Sequence, residues 1–200
     1  MTEQQERYHG NGPGAAAPAW RSADPESCRE AMSRIAAGVV VLMTRDASGG
    51  VWGFTATSLC SVSLDPPLVL ACVALSSRSY PAFMSCDSFT VSVLRKNHVA
   101  VADRLARGGP DKFRAEALAL SPRRRPTLAG ALCRFECRVY ARHHAGDHVI
   151  VVGQISEVSI GAGEPLLYFH RNYRAMNPQA LEVREGNSRI RPSNAEGRAL

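Results

Sequence analysis

The segment GFTATSLCSVSLDPPLVL, residues 53–70, decides the fold. Two apolar runs typical of β-strands flank a bend that is rich in hydroxyl groups. Asp65-Pro66-Pro67 then turns the chain before the second run. A flat ligand with many hydrogen-bond acceptors fits a wall of hydroxyls and small side chains, but an ordinary β-bend has the same composition. Five hydroxyls fall within nine residues, at Thr55, Thr57, Ser58, Ser61 and Ser63.

Three further segments carry motifs in the same part of the chain. They are SSRSYPAFMSCDSFTVSVL at 76–94, GDHVIVVGQI at 146–155 and PLLYFHRNYR at 165–174. In order and spacing, these segments and the first one resemble the flavin reductase-like family over roughly residues 31–174. The resemblance implies an antiparallel FMN-binding split barrel that forms a homodimer. It also implies NAD(P)H-dependent reduction of FMN or FAD, with reduced flavin supplied to a monooxygenase through transient contact or none.

The same resemblance implies where the cofactors bind. In that family the Thr-Ala-x-Ser segment lies along the isoalloxazine ring, and the flavin phosphate lies near the turn that follows the next strand. From the residues alone, Ser77 or Ser79 could equally cap a helix, Phe113 could be core, and Tyr173 could close the barrel end. The predicted cofactor-binding residues are Phe54, Thr55, Ala56, Thr57, Ser58, Ser61, Ser77, Arg78, Ser79, Phe113, Asp147, His148 and Tyr173.

Three histidines and an aspartate crowd into six residues at 143–148. Imidazole and carboxylate suit zinc or iron, although two adjacent histidines on a hairpin do not readily converge on one ion. A solvated turn is a second interpretation. The resemblance supplies a third, because Gly146-Asp147-His148 is similar to a family motif for nicotinamide binding. We therefore predict no metal site and a nicotinamide contact at His148, and we leave His143 and His144 unassigned.

No Ser-His-Asp set, paired carboxylates or Gly-x-Gly-x-x-Gly motif stands out in the sequence. Hydride transfer between NADH or NADPH and flavin needs positioning more than acid–base chemistry. We therefore predict no catalytic residue in the strict sense. A flavin- or haem-binding split barrel without reductase turnover is the alternative function.

The composition also bears on nucleic-acid binding, on the cellular compartment and on membrane insertion. The net charge is +6, but the basic run Arg123-Arg124-Arg125 lacks interleaved aromatics, which disfavours nucleic-acid binding. The six cysteines form no Cys-x-x-Cys pair and favour a reducing cytoplasm. The N-terminus is too polar for a signal peptide, and no apolar run suits a membrane helix.

The patterns predict a mainly β fold with peripheral helices, as a domain at 24–175 between disordered tails at 1–23 and 176–200. A helix should start at Asp24 and end at Gly38, and a second should start at Asn97 with Val99, Ala102 and Leu105 facing the core. Strict alternation after Ala131 places Glu136 on a solvent-facing side. Seven or eight strands are expected at 38–44, 51–57, 67–75, 89–95, 131–142, 148–160 and 165–169, with a short helix at 80–85, a loop at 121–130 and a hairpin turn at 143–147.

Overall fold

The computed structural model describes residues 22–107 and 118–176. Within them the helices are α1 Pro25–Ser33, α2 Tyr80–Ser85 and α3 Val99–Arg107, and a 3₁₀ turn at Lys96–His98 precedes α3. The strands are β1 Ala37–Gly38, β2 Val40–Arg45, β3 Val51–Ala56, β4 Cys60–Leu64, β5 Pro67–Ala74, β6 Ser88–Val93, β7 Leu118–Leu120, β8 Pro126–Leu128, β9 Cys133–Ala145, β10 His148–Ile160, β11 Leu166–Phe169 and β12 Asn172–Ala175.

The main sheet has seven antiparallel strands in the order β3-β2-β6-β9-β10-β5-β4. Its edge strands β3 and β4 are consecutive in the chain, and only residues 57–59 connect them. Four Cα–Cα steps span at most about 15 Å. Six interstrand spacings of a flat sheet span about 29 Å, so the sheet curls until its edges approach each other. The result is a split barrel, which confirms the predicted mainly antiparallel fold class.

Strand β2 explains why its sequence is a continuous apolar run. Val40 and Leu42 lie in one core cluster with Phe83, whereas Val41 and Met43 lie in a second cluster on the other face. Leu105 and Ala102 of α3 belong to this second cluster. A strand covered on both faces has no polar side, so alternation is lost and only apolar residues fit.

The bend contains more strand than the sequence predicts. Residues 60–64 form β4, which pairs with β5 through a bulge between Ser61 and Ser63, so the bend is limited to residues 57–59. Hydroxyl-rich sequence weakened the strand pattern here, but the backbone ladder with β5 overrides that propensity. The expected loop at 121–130 likewise contains β8, which pairs with β7, and the expected last strand is followed by β12.

The two long helices differ in detail from the prediction. Asp24 caps α1 by accepting a hydrogen bond from the Ser27 amide, as expected, but α1 ends at Ser33 rather than at Gly38, which lies in β1. Helix α3 begins at Val99 after a 3₁₀ turn that contains Asn97, so Asn97 is not its cap. Ala102 and Leu105 are buried as predicted, but Val99 is exposed at the first turn.

The prediction for Glu136 is wrong, because this residue is only 5% exposed. The segment that contains β8 covers the sheet face on which Glu136 lies. On this face, Thr90 of the adjacent strand β6 donates a hydrogen bond to the Pro126 carbonyl. Arg125 of that segment lies 3.4 Å from the Glu136 carboxylate. Burial, followed by the Glu136 charge, raises the pKa of the neighbouring Cys137 thiol to about 12. The alternation was correct, but it could not show that β8 covers the polar side.

The β9–β10 turn is also tighter than predicted. Strand β9 continues to Ala145, and only Gly146 and Asp147 form the turn before His148. His143 and His144 are therefore strand residues that pair with Ile150 and Val149. None of the helices described is long and apolar enough to cross a membrane. Phe113 and nearly all of both predicted tails lie outside the described residues.

We expect Gly153→Ala to destabilise the fold by about 1–3 kcal/mol through overpacking. An added Cβ would fall on the Phe89 ring and 2.9 Å from the Cys137 Cβ, inside the first core cluster. Urea denaturation of both proteins measures the difference. Gly38→Ala is the control, because nothing lies within 4 Å of its added Cβ. Equal stability of the two variants would show that β10 relaxes away from Phe89.

Candidate functional site

A cleft of about 530 Å³ lies where the edge strands of the sheet separate. It is lined by the end of β3 and the bend, by β5 and the turn that follows it, by the start of β10, and by the end of α3. Its size is within the usual range for small-molecule sites. The lining residues are Phe54, Thr55, Ala56, Thr57, Ser58, Cys72, Ala74, Ser76, Ser77, Arg78, Leu105, Ala106, Arg107 and His148.

The first wall of the cleft is the hydroxyl-rich run at 54–58. The Thr55 hydroxyl donates to the Ala102 carbonyl at 2.9 Å and so fastens β3 to α3. The Ser58 hydroxyl accepts the Cys72 amide at 3.0 Å and bridges the bend to β5. A hydroxyl that accepts one bond still has a proton to donate, so Ser58 remains a donor for a ligand. Ala56 keeps this part of the wall low.

The second wall is the turn between β5 and α2. The Ser79 hydroxyl is buried, with 1% exposure, and donates to the Gly53 carbonyl at 2.8 Å. The Ser79 amide donates to the Ser77 hydroxyl at 3.2 Å. These bonds set the turn beside β3 and leave Arg78 on the cleft surface. A guanidinium next to hydroxyls is a suitable partner for phosphate.

His148 reaches the cleft because of the β9–β10 hairpin. It pairs with Ala74 across the sheet, and the Asp147 carbonyl accepts the Leu75 amide at 2.9 Å. The His148 Nδ1 lies 2.7 Å from the Asp147 carboxylate, which is exposed and does not line the cleft. This hydrogen bond lowers the pKa of Asp147, and the charge of His148 adds to the shift. Asp147 therefore orients the imidazole and leaves Nε2 for a ligand.

Helix α3 brings a second guanidinium to the cleft. Arg107, its last residue, lines the cleft and pairs with Asp103 one turn earlier at 2.7 Å. Tyr173 packs edge-on against Tyr168 and does not line the cleft. Burial raises the pKa of Tyr173, as do the charges of Asp103 and Tyr168, while Arg107 lowers it. Tyr173 therefore lies beside the ion pair that holds Arg107.

The structure gathers most of the predicted cofactor-binding residues into one place. Residues 54–58, Ser77, Arg78 and His148 all line the cleft. Ser61 is exposed on β4, outside the lining, and the Ser79 hydroxyl is committed to Gly53. Asp147 and Tyr173 do not line the cleft. Phe113 is outside the described residues, so its role stays a prediction.

Several lining residues were not predicted. Cys72 and Ala74 alternate with Ala71 and Val73 on β5, which face the core, so strict alternation could have placed them on the cleft side. Arg107 had no such signal, because its position depends on how α3 packs against β3. The spacing of residues in the sequence does not predict how α3 packs against β3.

The described residues offer a second cleft and no metal site. The second cleft, of about 540 Å³, lies between the β2–β3 hairpin and the Arg123–Arg125 run and contains none of the predicted site residues. Across residues 22–107 and 118–176, no three His, Cys, Asp or Glu side chains are grouped to hold an ion. His143 and His144 are exposed neighbours on β9 whose side chains point to opposite faces.

Comparison with known proteins identifies the family. A family model described as "Flavin reductase like domain" matches residues 32–177. Actinorhodin polyketide dimerase of Streptomyces coelicolor is 39% identical over 175 residues, which cover 87% of this chain and 99% of that one. NADH:riboflavin 5'-phosphate oxidoreductase of Streptomyces pristinaespiralis is 39% identical over 168 residues, which cover 82% and 96%.

A solved structure shares the fold over most of the chain. Nitrilotriacetate monooxygenase component B from Mycobacterium thermoresistibile superposes with a TM-score of 0.75 at 28% identity. The match covers 84% of this chain and 94% of that one. These relatives thus include an NADH:riboflavin 5'-phosphate oxidoreductase and one component of a monooxygenase.

We expect Asp103→Asn to lower the pKa of Tyr173. Removing the Asp103 charge makes the phenolate less unfavourable, and it leaves Arg107 to act in the same direction. A pH titration of ¹³Cζ-labelled tyrosine by NMR measures the change, with Tyr173→Phe used for assignment. Glu30→Gln is the control, because Glu30 pairs with Arg34 on α1. An unchanged Tyr173 titration would mean that Asp103 does not act on the phenol.

Proposed function

The chain belongs to the flavin reductase-like family, and we propose that it is an NAD(P)H-dependent flavin reductase that supplies reduced FMN or FAD to a monooxygenase. One observation carries this conclusion. Eight of the predicted cofactor-binding residues, which come from three distant segments of the sequence, line the same 530 Å³ cleft. The match over residues 32–177 includes all three segments.

The cleft residues fit a flavin by their chemistry. Hydroxyls of Thr57 and Ser58 can donate to ring acceptors, and Ala56 leaves room for a flat ring beside them. Ser77 and Arg78 lie in the turn between β5 and α2, on the second wall of the cleft, and suit the flavin phosphate. When bound, flavin supplies the ring atom that accepts a hydride. We assign Phe54 through Ser58 to the ring, and Ser77 and Arg78 to the phosphate.

His148 is assigned to the nicotinamide. Its ring is held by Asp147 at 2.7 Å, with one nitrogen left to hydrogen-bond a carboxamide or phosphate oxygen. No aspartate or glutamate is among the described residues that line the cleft, so the wall supplies no carboxylate as a general base. The residues instead bind and orient two ligands, which is what hydride transfer requires.

Three further parts of the proposal concern the setting of the enzyme. A homodimer is supported by large apolar side chains that are exposed on the single chain, including Met32 at 67%, Leu64 at 88% and Ile160 at 85%. A single-chain molar mass by light scattering would contradict it.

All six cysteines are free thiols, which supports a reducing cytoplasm. Reduced flavin can diffuse to the monooxygenase, so contact between them is transient or absent.

We expect the purified protein to oxidise NADH or NADPH only when FMN or FAD is present, because the residues position ligands but supply no hydride acceptor. Absorbance at 340 nm, with both flavins crossed against both nicotinamides, measures the activity. Retention of flavin with no turnover in any combination would instead support a binding protein without reductase activity.

We expect His148→Gln to raise the KM for the nicotinamide about three- to tenfold, the value of one hydrogen bond, while the flavin Kd stays nearly constant. Steady-state kinetics at saturating flavin and quenching of flavin fluorescence measure the two constants. His144→Gln is the matched control, since His144 is an exposed residue of the same hairpin. A flavin Kd that rises as much as the KM would place His148 against the flavin.

A further inference from the structure

The cleft has two guanidiniums, on separate elements of the fold. Arg78 and Arg107 both line it, from the β5–α2 turn and from the end of α3, and no described acidic side chain lines it with them. The proposed flavin phosphate uses the first of these guanidiniums. We propose that Arg107 is a specificity-determining residue that binds a second phosphate, belonging to a dinucleotide held in the cleft. This inference rests on the proposed function.

The position of Arg107 is built into the fold. Ala102 and Leu105 anchor α3 in the second core cluster, and the Thr55 hydroxyl binds the Ala102 carbonyl at 2.9 Å. The same strand segment forms the proposed flavin wall, so this hydrogen bond joins α3 to that wall. Arg107 stands at the C-terminal end of α3, where the helix dipole favours a cation.

The guanidinium of Arg107 is held but not saturated. Asp103 contacts Nη2 at 2.7 Å, while the Arg107 side chain is 78% exposed. Arginine has five N–H donors in a planar fork, so donors remain for phosphate oxygens. Asp103 is itself outside the lining of the cleft, and it therefore limits the orientation of Arg107 without placing a negative charge in the path of the ligand.

Two ligands can bring the second phosphate. FAD carries one phosphate more than FMN, and the nicotinamide dinucleotides carry phosphates of their own. Both place a phosphate away from the reacting ring, where a guanidinium at the rim of the cleft can reach it. The chemistry of recognition is the same for both, and the separate binding arms of one experiment distinguish them.

The experiment compares Arg107→Gln with the unaltered protein in two arms. The flavin arm measures Kd for riboflavin, FMN and FAD by fluorescence without nicotinamide. The nicotinamide arm measures KM and kcat for NADH and NADPH at saturating FMN. We expect a loss of about three- to fivefold, typical of an exposed ion pair, either in the FAD Kd or in the nicotinamide KM. Riboflavin and FMN binding and kcat should change less than twofold.

Two further variants make the outcome specific. Asp103→Asn should strengthen the affected constant, because the guanidinium loses its competing carboxylate. Arg34→Gln is the matched control, since Arg34 is an exposed arginine paired with an acid one turn earlier on α1, at 3.1 Å from Glu30, and is outside the cleft. Near-ultraviolet circular dichroism checks that each variant is folded.

The results separate this inference from the proposed function. Arg107 is excluded as a phosphate ligand if its substitution changes no constant, or if it weakens riboflavin, FMN and FAD equally. An effect of Asp103→Asn in the same direction as Arg107→Gln also overturns the inference, since both would then act through the structure of α3. Failure of the unaltered protein to oxidise either nicotinamide with any flavin overturns the proposed function, while the flavin arm still tests Arg107.

Discussion

The two walls of the cleft depend on one buried hydrogen bond, from the Ser79 hydroxyl to the Gly53 carbonyl. Because neither group meets water, losing either partner would leave the other unsatisfied. Gly53 itself lies so close to β2 that an added Cβ would meet the Leu42 carbonyl. Strand β3 is thus held on one side by β2 and on the other by the turn that carries Arg78. The distance from the hydroxyl wall to that turn follows from these contacts.

The cleft exists because a sheet ladder stops early. Strand β4 pairs with β5 only as far as Cys60 and Leu70, so the Cys72 amide on that side of β5 has no strand partner. The Ser58 hydroxyl accepts this amide and satisfies it without extending the ladder. A ladder that ran beyond Cys60 would replace the bend that lines the cleft. A single serine at the bend therefore keeps a backbone donor paired while the sheet stays open.

Local sequence signals were enough to predict several of the helices and strands. The helix at Tyr80–Ser85 and the strand from His148 to Ile160 agree with their sequence patterns residue by residue, because caps, proline and periodicity are local. The burial of Glu136 and the position of Arg107 were not predictable in this way, because each depends on a segment distant in sequence that packs beside it. For the same reason, local patterns did not show that the Ser79 hydroxyl bonds to the distant Gly53 carbonyl.

The acidic residues near the site explain how the cleft keeps its positive character. Asp147 and Asp103 pair with the lining residues His148 and Arg107, each at 2.7 Å, and neither acid lines the cleft itself. A carboxylate within the cleft would repel phosphates and compete for the guanidiniums. Outside the cleft, the two acids restrict the rotamers of those side chains. A site built this way selects anionic, planar ligands by position and charge, and it leaves the reaction to the atoms that those ligands bring.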